Sequence, residues 1–198
     1  HPPLAIFLES SWFKIFGNSL YVERVYSLST YIISAFLIHY IFKKLNPTKA
    51  HYSFIPILFW IITPLVTWGA ANNMLENTLT IFVLIPVLLL ISSIHSFNIL
   101  RLIFAGFFVF LAFLTKGFIG TFPLVFLGLY WLFFRNISFK EMMFKTAIVI
   151  ISFLIPFVFI FLFSESGALY LNNYFSLQVL NSIQNETTVS SRFFIIWR

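Results

Sequence analysis

Along the chain, apolar residues come in long unbroken blocks, unlike the alternations or single helical faces of a water-soluble domain. Six blocks, at about 20–42, 52–71, 77–94, 98–115, 118–134 and 145–163, approach or reach the length needed to cross a hydrocarbon layer roughly 30 Å thick. Each predicts a transmembrane helix, because a segment in lipid has to satisfy its own backbone hydrogen bonds. The fifth block is short and calls for thinned lipid, snorkelling flanks or protein neighbours. Pro56, Pro64, Pro86, Pro123 and Pro156 fall inside the blocks, where neighbouring helices and local adjustments re-satisfy the freed carbonyls.

Two stretches break the pattern. Residues 4–16 place Glu9, Ser10 and Lys14 on one arc of a helix, with Leu4, Ile6, Phe7, Trp12, Phe13 and Phe16 around the rest. Pro3 suits the start of that helix and Gly17-Asn18 its end. It is too short to span and predicts an amphipathic helix lying in the membrane interface. Residues 164–192 are the long polar stretch, read as an external segment with one short helix. The expected fold is therefore all-α and polytopic. Residues 1–19 carry the interfacial helix, 20–163 about six transmembrane helices, and 164–198 an external segment leading into a further helix.

Composition agrees. The chain is 60% hydrophobic and 9% charged, against about a quarter charged in soluble domains. Its net charge of +6 sits in Lys and Arg between apolar blocks, which points to topology and anionic head groups. Membrane lipids are thus the expected partner, and nucleic acid is not. With no cysteine, disulfides, thiolate catalysis and Cys-based metal sites are excluded. No Gly-rich nucleotide loop or HExxH motif supports ATP-driven or zinc-protease chemistry.

Orientation follows from the short loops. Lys43, Lys44, Lys49, Arg101, Arg135, Lys140 and Lys145 mark the cytoplasmic side by the positive-inside rule. The His1-Pro2-Pro3 entry, the loop Asn72–Asn77 with Glu76, and the Lys116 turn then converge on the opposite face. Cations that meet a lipid-borne phosphate, and a carboxylate that handles an acceptor, suit group transfer at a membrane surface.

Singly, these residues have plainer readings. Glu76 precedes Asn77, which reads as a cap for the next helix. Lys116 reads as a lysine snorkelling to the interface, and Arg24, a few residues into a span, as another. His39, His51 and His95 lack metal-like spacing and read as structural. Glu141 reads as a solvated loop charge. The sequon Asn185-Glu186-Thr187 matters only in a eukaryotic secretory route.

Together, the polar elements resemble a known pattern. His1-Pro2-Pro3-Leu4, Phe16-Gly17-Asn18-Ser19, then Arg24 and Ser27, are similar to the "HPPL … FG.S … R..S" stretch of the protein O-mannosyltransferase-like glycosyltransferases. These multi-spanning GT-C enzymes include the lipid A aminoarabinose transferases. Asn73–Leu79 sits where the family carries an acidic residue opening a helix, and Leu114-Thr115-Lys116-Gly117-Phe118 resembles its "LTKG" turn. The match in order and spacing covers roughly 1–135 and is looser through Ser191-Arg192-Phe193.

The resemblance implies sugar transfer from a polyprenyl-phosphate donor to an acceptor on the outer face of the membrane, in a bacterial plasma membrane. It implies an acidic catalytic position at Glu76, which would orient the acceptor or help hold a divalent cation. It implies donor-phosphate or substrate contacts at His1, Arg24, Lys116 and Arg192. The family's principal catalytic carboxylate is expected upstream of His1, so the piece alone is expected to be inactive. A lipid-linked sugar flippase and a non-catalytic membrane subunit are the alternatives. A transporter would hold its polar groups near the midplane, often with internal repeats, and neither feature is evident here.

Overall fold

The computed structural model describes residues 3–176. Of these, 89% are helical, and among the described residues there is no strand. The helices are α1 (Leu4–Phe16), α2 (Leu20–Leu45), α3 (Phe54–Ile62), α4 (Pro64–Ala71), α5 (Leu75–Ser93), α6 (Ile99–Lys116), α7 (Phe126–Phe134), α8 (Phe139–Phe163) and α9 (Glu165–Asn173). Tight 3-10 turns, Pro47–Ser53 and Gly117–Val125, lead into α3 and α7. The chain divides into two compact units, His1–Pro156 and Phe157–Arg198.

Among the described residues four helical stretches are long and apolar enough to cross a membrane, or five counting one bent pair. The longest, Ile99–Phe134, is not a single rod. Gly117, at φ 68°, ends α6, and the chain turns back. A Cβ on Gly120 would lie 2.3 Å from the backbone of Ala112, a distance only a folded-back limb can produce. The returning limb combines nine residues of 3-10 helix with nine of α-helix. At about 2.0 and 1.5 Å per residue these add up to roughly the bilayer's thickness. The 3-10 residues thus add length that an α-helix over block 118–134 would lack.

The block at 52–71 does not form the single helix expected of it. It breaks at Thr63-Pro64 into α3 and α4, and the axis bends by 64°. Pro64 has no N–H for the carbonyl four residues back, and it pushes Thr63 to an extended ψ of 112°. The Thr67 hydroxyl compensates by donating to the Ile61 carbonyl at 2.9 Å.

The apolar core gathers where α5 ends and α6 and α8 begin, with Leu90, Ile91, Ile94, Leu102, Ala105, Leu127, Ile137, Met142 and Val149. There α6 and α8 nearly touch, since a Cβ on Gly106 would lie 2.4 Å from the Val149 carbonyl oxygen. Lys145 is fully buried beside this core. Its ammonium donates to the carbonyls of Ser93 and Ile94 (2.7 and 2.6 Å) and to Glu141 (2.6 Å). Glu141 is therefore an ion-pair partner and not the free loop charge its sequence suggests. The carbonyls that end α5 are satisfied by a side chain from α8.

In the second unit, Ser164 caps α9, a short helix of the polar stretch, by accepting from the Gly167 N–H at 3.1 Å.

Candidate functional site

The opposite end of α5 is built from polar contacts. α5 starts at Leu75, so Glu76 lies in its first turn, and Lys116 lies in the last turn of α6. A carboxylate at a helix N-terminus and an ammonium at a C-terminus are each favoured by the helix dipole. Because α5 and α6 are joined by a short connection and pack side by side, those two ends meet. Lys116 Nζ donates to Glu76 Oε1 in a salt bridge between residues 40 apart in sequence. The pair is not sealed, as the two side chains retain 22% (Lys116) and 49% (Glu76) of their exposure. Among the described residues, Glu76 is the one acceptor that the Lys116 ammonium meets.

Beside this pair lies a cleft of about 240 Å³. Glu76, Asn77 and Thr80 of α5 form one side, and Trp60, Leu65 and Trp68 of the broken helix form the other. The bend at Pro64 lies within that second wall, between Trp60 and Leu65. The result is a space with aromatic surface opposite a carboxylate and an amide, a combination that suits a molecule with both apolar faces and hydroxyls.

The loop in front of Glu76 is held from two directions. Asn73 has a left-handed backbone (φ 48°), a conformation that asparagine tolerates better than most residues. Its side-chain amide donates to Glu9 of α1 at 2.5 Å. Burial raises the Glu9 pKa above its usual carboxylate value, Asn73 opposes that shift, and the nearby charge of Glu23 adds to it. Beneath the loop, Asn77 donates to the Gly69 carbonyl (2.9 Å) and to the Ser27 hydroxyl (3.1 Å), while Ser27 donates to the Ala70 carbonyl. Asn77 does not cap α5, contrary to its sequence reading. It joins α5 to α2 and α4. Next to it the Tyr26 hydroxyl meets that of Thr78 at 2.9 Å.

Of the residues singled out in the sequence, Glu76 and Lys116 are brought together. Arg24 is not with them. It is exposed on α2, and among the described residues it makes no ion pair or side-chain hydrogen bond. His1 and Arg192 lie outside the described residues, as does the sequon. Helix α1 has the expected bounds, but Glu9 faces the Asn73 loop, and the buried face also includes Ala5. Glu9, Asn73 and Ser27 carried no site role in the sequence reading, and Asn77 was read only as a cap. The available signal for Glu9 was its place four residues from small Ala5 and three from Trp12, on one stripe of the helix.

No group of three or more His, Asp or Glu that could hold a metal ion occurs among the described residues. Of the two Glu76 carboxylate oxygens, Oε1 accepts from the Lys116 ammonium.

A family model described as "Dolichyl-phosphate-mannose-protein mannosyltransferase" matches residues 1–161. No curated protein and no solved structure matches the chain.

Proposed function

We propose a mechanism for this chain from the premise that it belongs to the dolichyl-phosphate-mannose-protein mannosyltransferase family. Membership makes it a multi-pass membrane glycosyltransferase that draws on a polyprenyl-phosphate sugar donor. Our reading is that transfer takes place beside Glu76 and Lys116, on the outer face of the membrane. The donor's prenyl tail stays in lipid, and its phosphate reaches the Lys116 ammonium. An oxygen of the acceptor attacks the anomeric carbon with inversion as the bond to the phosphate oxygen breaks. The acceptor proton passes to a carboxylate, and polyprenyl phosphate leaves.

The observation that carries this reading is the Glu76–Lys116 pair, whose carboxylate lines the Trp60–Trp68 cleft. An ammonium has three donors, and among the described residues this one meets a single acceptor. It therefore keeps capacity for the oxygens of a phosphate, where positive charge stabilises a leaving anion. Glu76 shares the cleft with Asn77 and Thr80, a group suited to orienting a hydroxylated acceptor or the sugar itself. His1 and Arg192 remain candidates for further phosphate contacts on the strength of the motif match, and Arg24 has that support alone.

The test uses the intact protein in membranes with labelled dolichyl-phosphate mannose as donor. Glu76→Gln is expected to abolish release of free dolichyl phosphate at normal protein levels. Wild-type protein that moves the intact donor between leaflets without splitting it would replace this reading with a transporter.

A further inference from the structure

We infer that Ser27 and Asn77 are positioning residues that fix where Glu76 stands relative to Lys116 and the cleft; the inference rests on the catalytic reading of Glu76 given above. Both side chains are buried, at 1% and 7% of full exposure. The Asn77 amide uses its two N–H groups on different elements: one reaches Gly69 in the last turns of α4, the other Ser27 on α2. The Ser27 hydroxyl passes its own hydrogen to Ala70. Three helices thus meet at one network of three hydrogen bonds.

Gly69 and Ala70 lie near the end of α4, and their carbonyls also accept from the backbone N–H groups of Met74 (3.1 Å) and Asn73 (3.4 Å). Opening the network would strip the buried Asn77 amide of both its acceptors, and a buried donor left unpaired is costly, so the network has strong reason to stay closed. Gly69 and Asn77 also line the cleft, from opposite walls. Their bond therefore sets the spacing between α4 and the first turn of α5. Glu76 is the residue before Asn77, and its only freedom is its own side-chain rotation once that turn is fixed.

The sequence adds an independent point. Ser27 is the serine of the "R..S" element and Asn77 follows the acidic position of the second element, so one bond ties two separate motif stretches together.

Carbodiimide coupling of the intact protein in membranes, read by mass spectrometry, tests this without needing activity. It is expected to join Glu76 to Lys116. The Glu141–Lys145 pair at the other end of α5, four residues apart on one helix, is the internal control. In Ser27→Ala and in Asn77→Asp, the Glu76–Lys116 product is expected to fall severalfold while the control product stays. In the same variants turnover with dolichyl-phosphate mannose should fall by up to about 100-fold with KM little changed, the size expected for a misplaced catalytic group.

An unchanged Glu76–Lys116 product in either variant that keeps the control product overturns the inference. So does loss of both products in Ser27→Ala, the milder change, because the residues would then hold the fold as a whole. A glycosyltransferase reading that fails, with Glu76→Gln still active, leaves the cross-linking result standing and is told apart by it.

Discussion

The two ends of α5 each carry a Lys–Glu pair, and the pairs are built for different work. Glu141 and Lys145 are four residues apart on one helix, and Lys145 is fully buried with all three of its donors taken. Glu76 and Lys116 come from different helices and stay partly open beside a cleft, and Lys116 has one described acceptor. About 26 Å of helix separates them. A lysine with every donor used is finished as a structural part. A lysine with donors to spare is equipped to receive something.

That contrast can be broken most directly at the carboxylates. Glu76→Gln is expected to lower transfer by about 100-fold or more, within the range for acid–base and charge-stabilising groups. Glu141→Gln should leave turnover per folded molecule within about twofold, because the pair lies at the far end of α5, while the buried Lys145 left without its carboxylate lowers stability. Labelled-donor turnover in membranes checks both. Equal losses would erase the distinction.

The lysines sharpen it from the other side. Lys116→Met should reduce turnover by about 100-fold, the usual cost of losing one charge-stabilising donor, with little change in stability. Lys145→Met should do the reverse. It leaves the Ser93 and Ile94 carbonyls unsatisfied in an apolar surrounding and should cost about 3 kcal/mol of stability, while turnover per folded molecule is kept. Unfolding in mild detergent, followed by circular dichroism, reads the second effect.

The smallest expected effect concerns Glu9. Its pKa is raised in the fold, chiefly by burial, so the folded state favours the protonated carboxyl. Stability from that group is present at low pH and is lost as pH rises through its folded value. Glu9→Gln should therefore be slightly more stable than the parent at neutral pH, with the difference vanishing below the ordinary carboxylate range. A melting series across pH checks the sign, and a variant that is less stable at neutral pH would refute it.

How much of this was legible in the sequence depends on the kind of signal. Segments were legible because length and apolarity alone decide what enters lipid: α1, α2, α5, α6 and α8 lie close to their expected places. The reversal at Lys116-Gly117 was legible too, from a polar residue and a glycine between apolar blocks. The break inside 52–71 was not, since proline is tolerated in many spans and the sequence does not say which one opens. Helix faces were the hardest part. Lipid-facing and core-facing positions are both apolar, so hydrophobicity cannot separate Phe133, at 77% exposed, from Phe113, at 2%. Small and hydroxyl residues hold that information instead, and Ser27, Thr30, Ser34 and Gly106 all turn out to pack inward. The Glu76–Lys116 meeting was foreseen as shared sidedness. Its supporting bonds, Ser27–Asn77 and Glu9–Asn73, span 50 and 64 residues and leave no local trace.

The turn at Gly117 has no loop. Lys116 ends one helix, and the 3-10 limb begins at the next residue. The height of its ammonium above the lipid is therefore dictated by backbone geometry and bilayer thickness, with no slack segment to absorb a mismatch. A donor tethered by its tail also presents its phosphate at a height the bilayer fixes. On the proposed reading the two meet as a depth gauge meets its mark, and membrane thickness becomes a variable that tunes transfer.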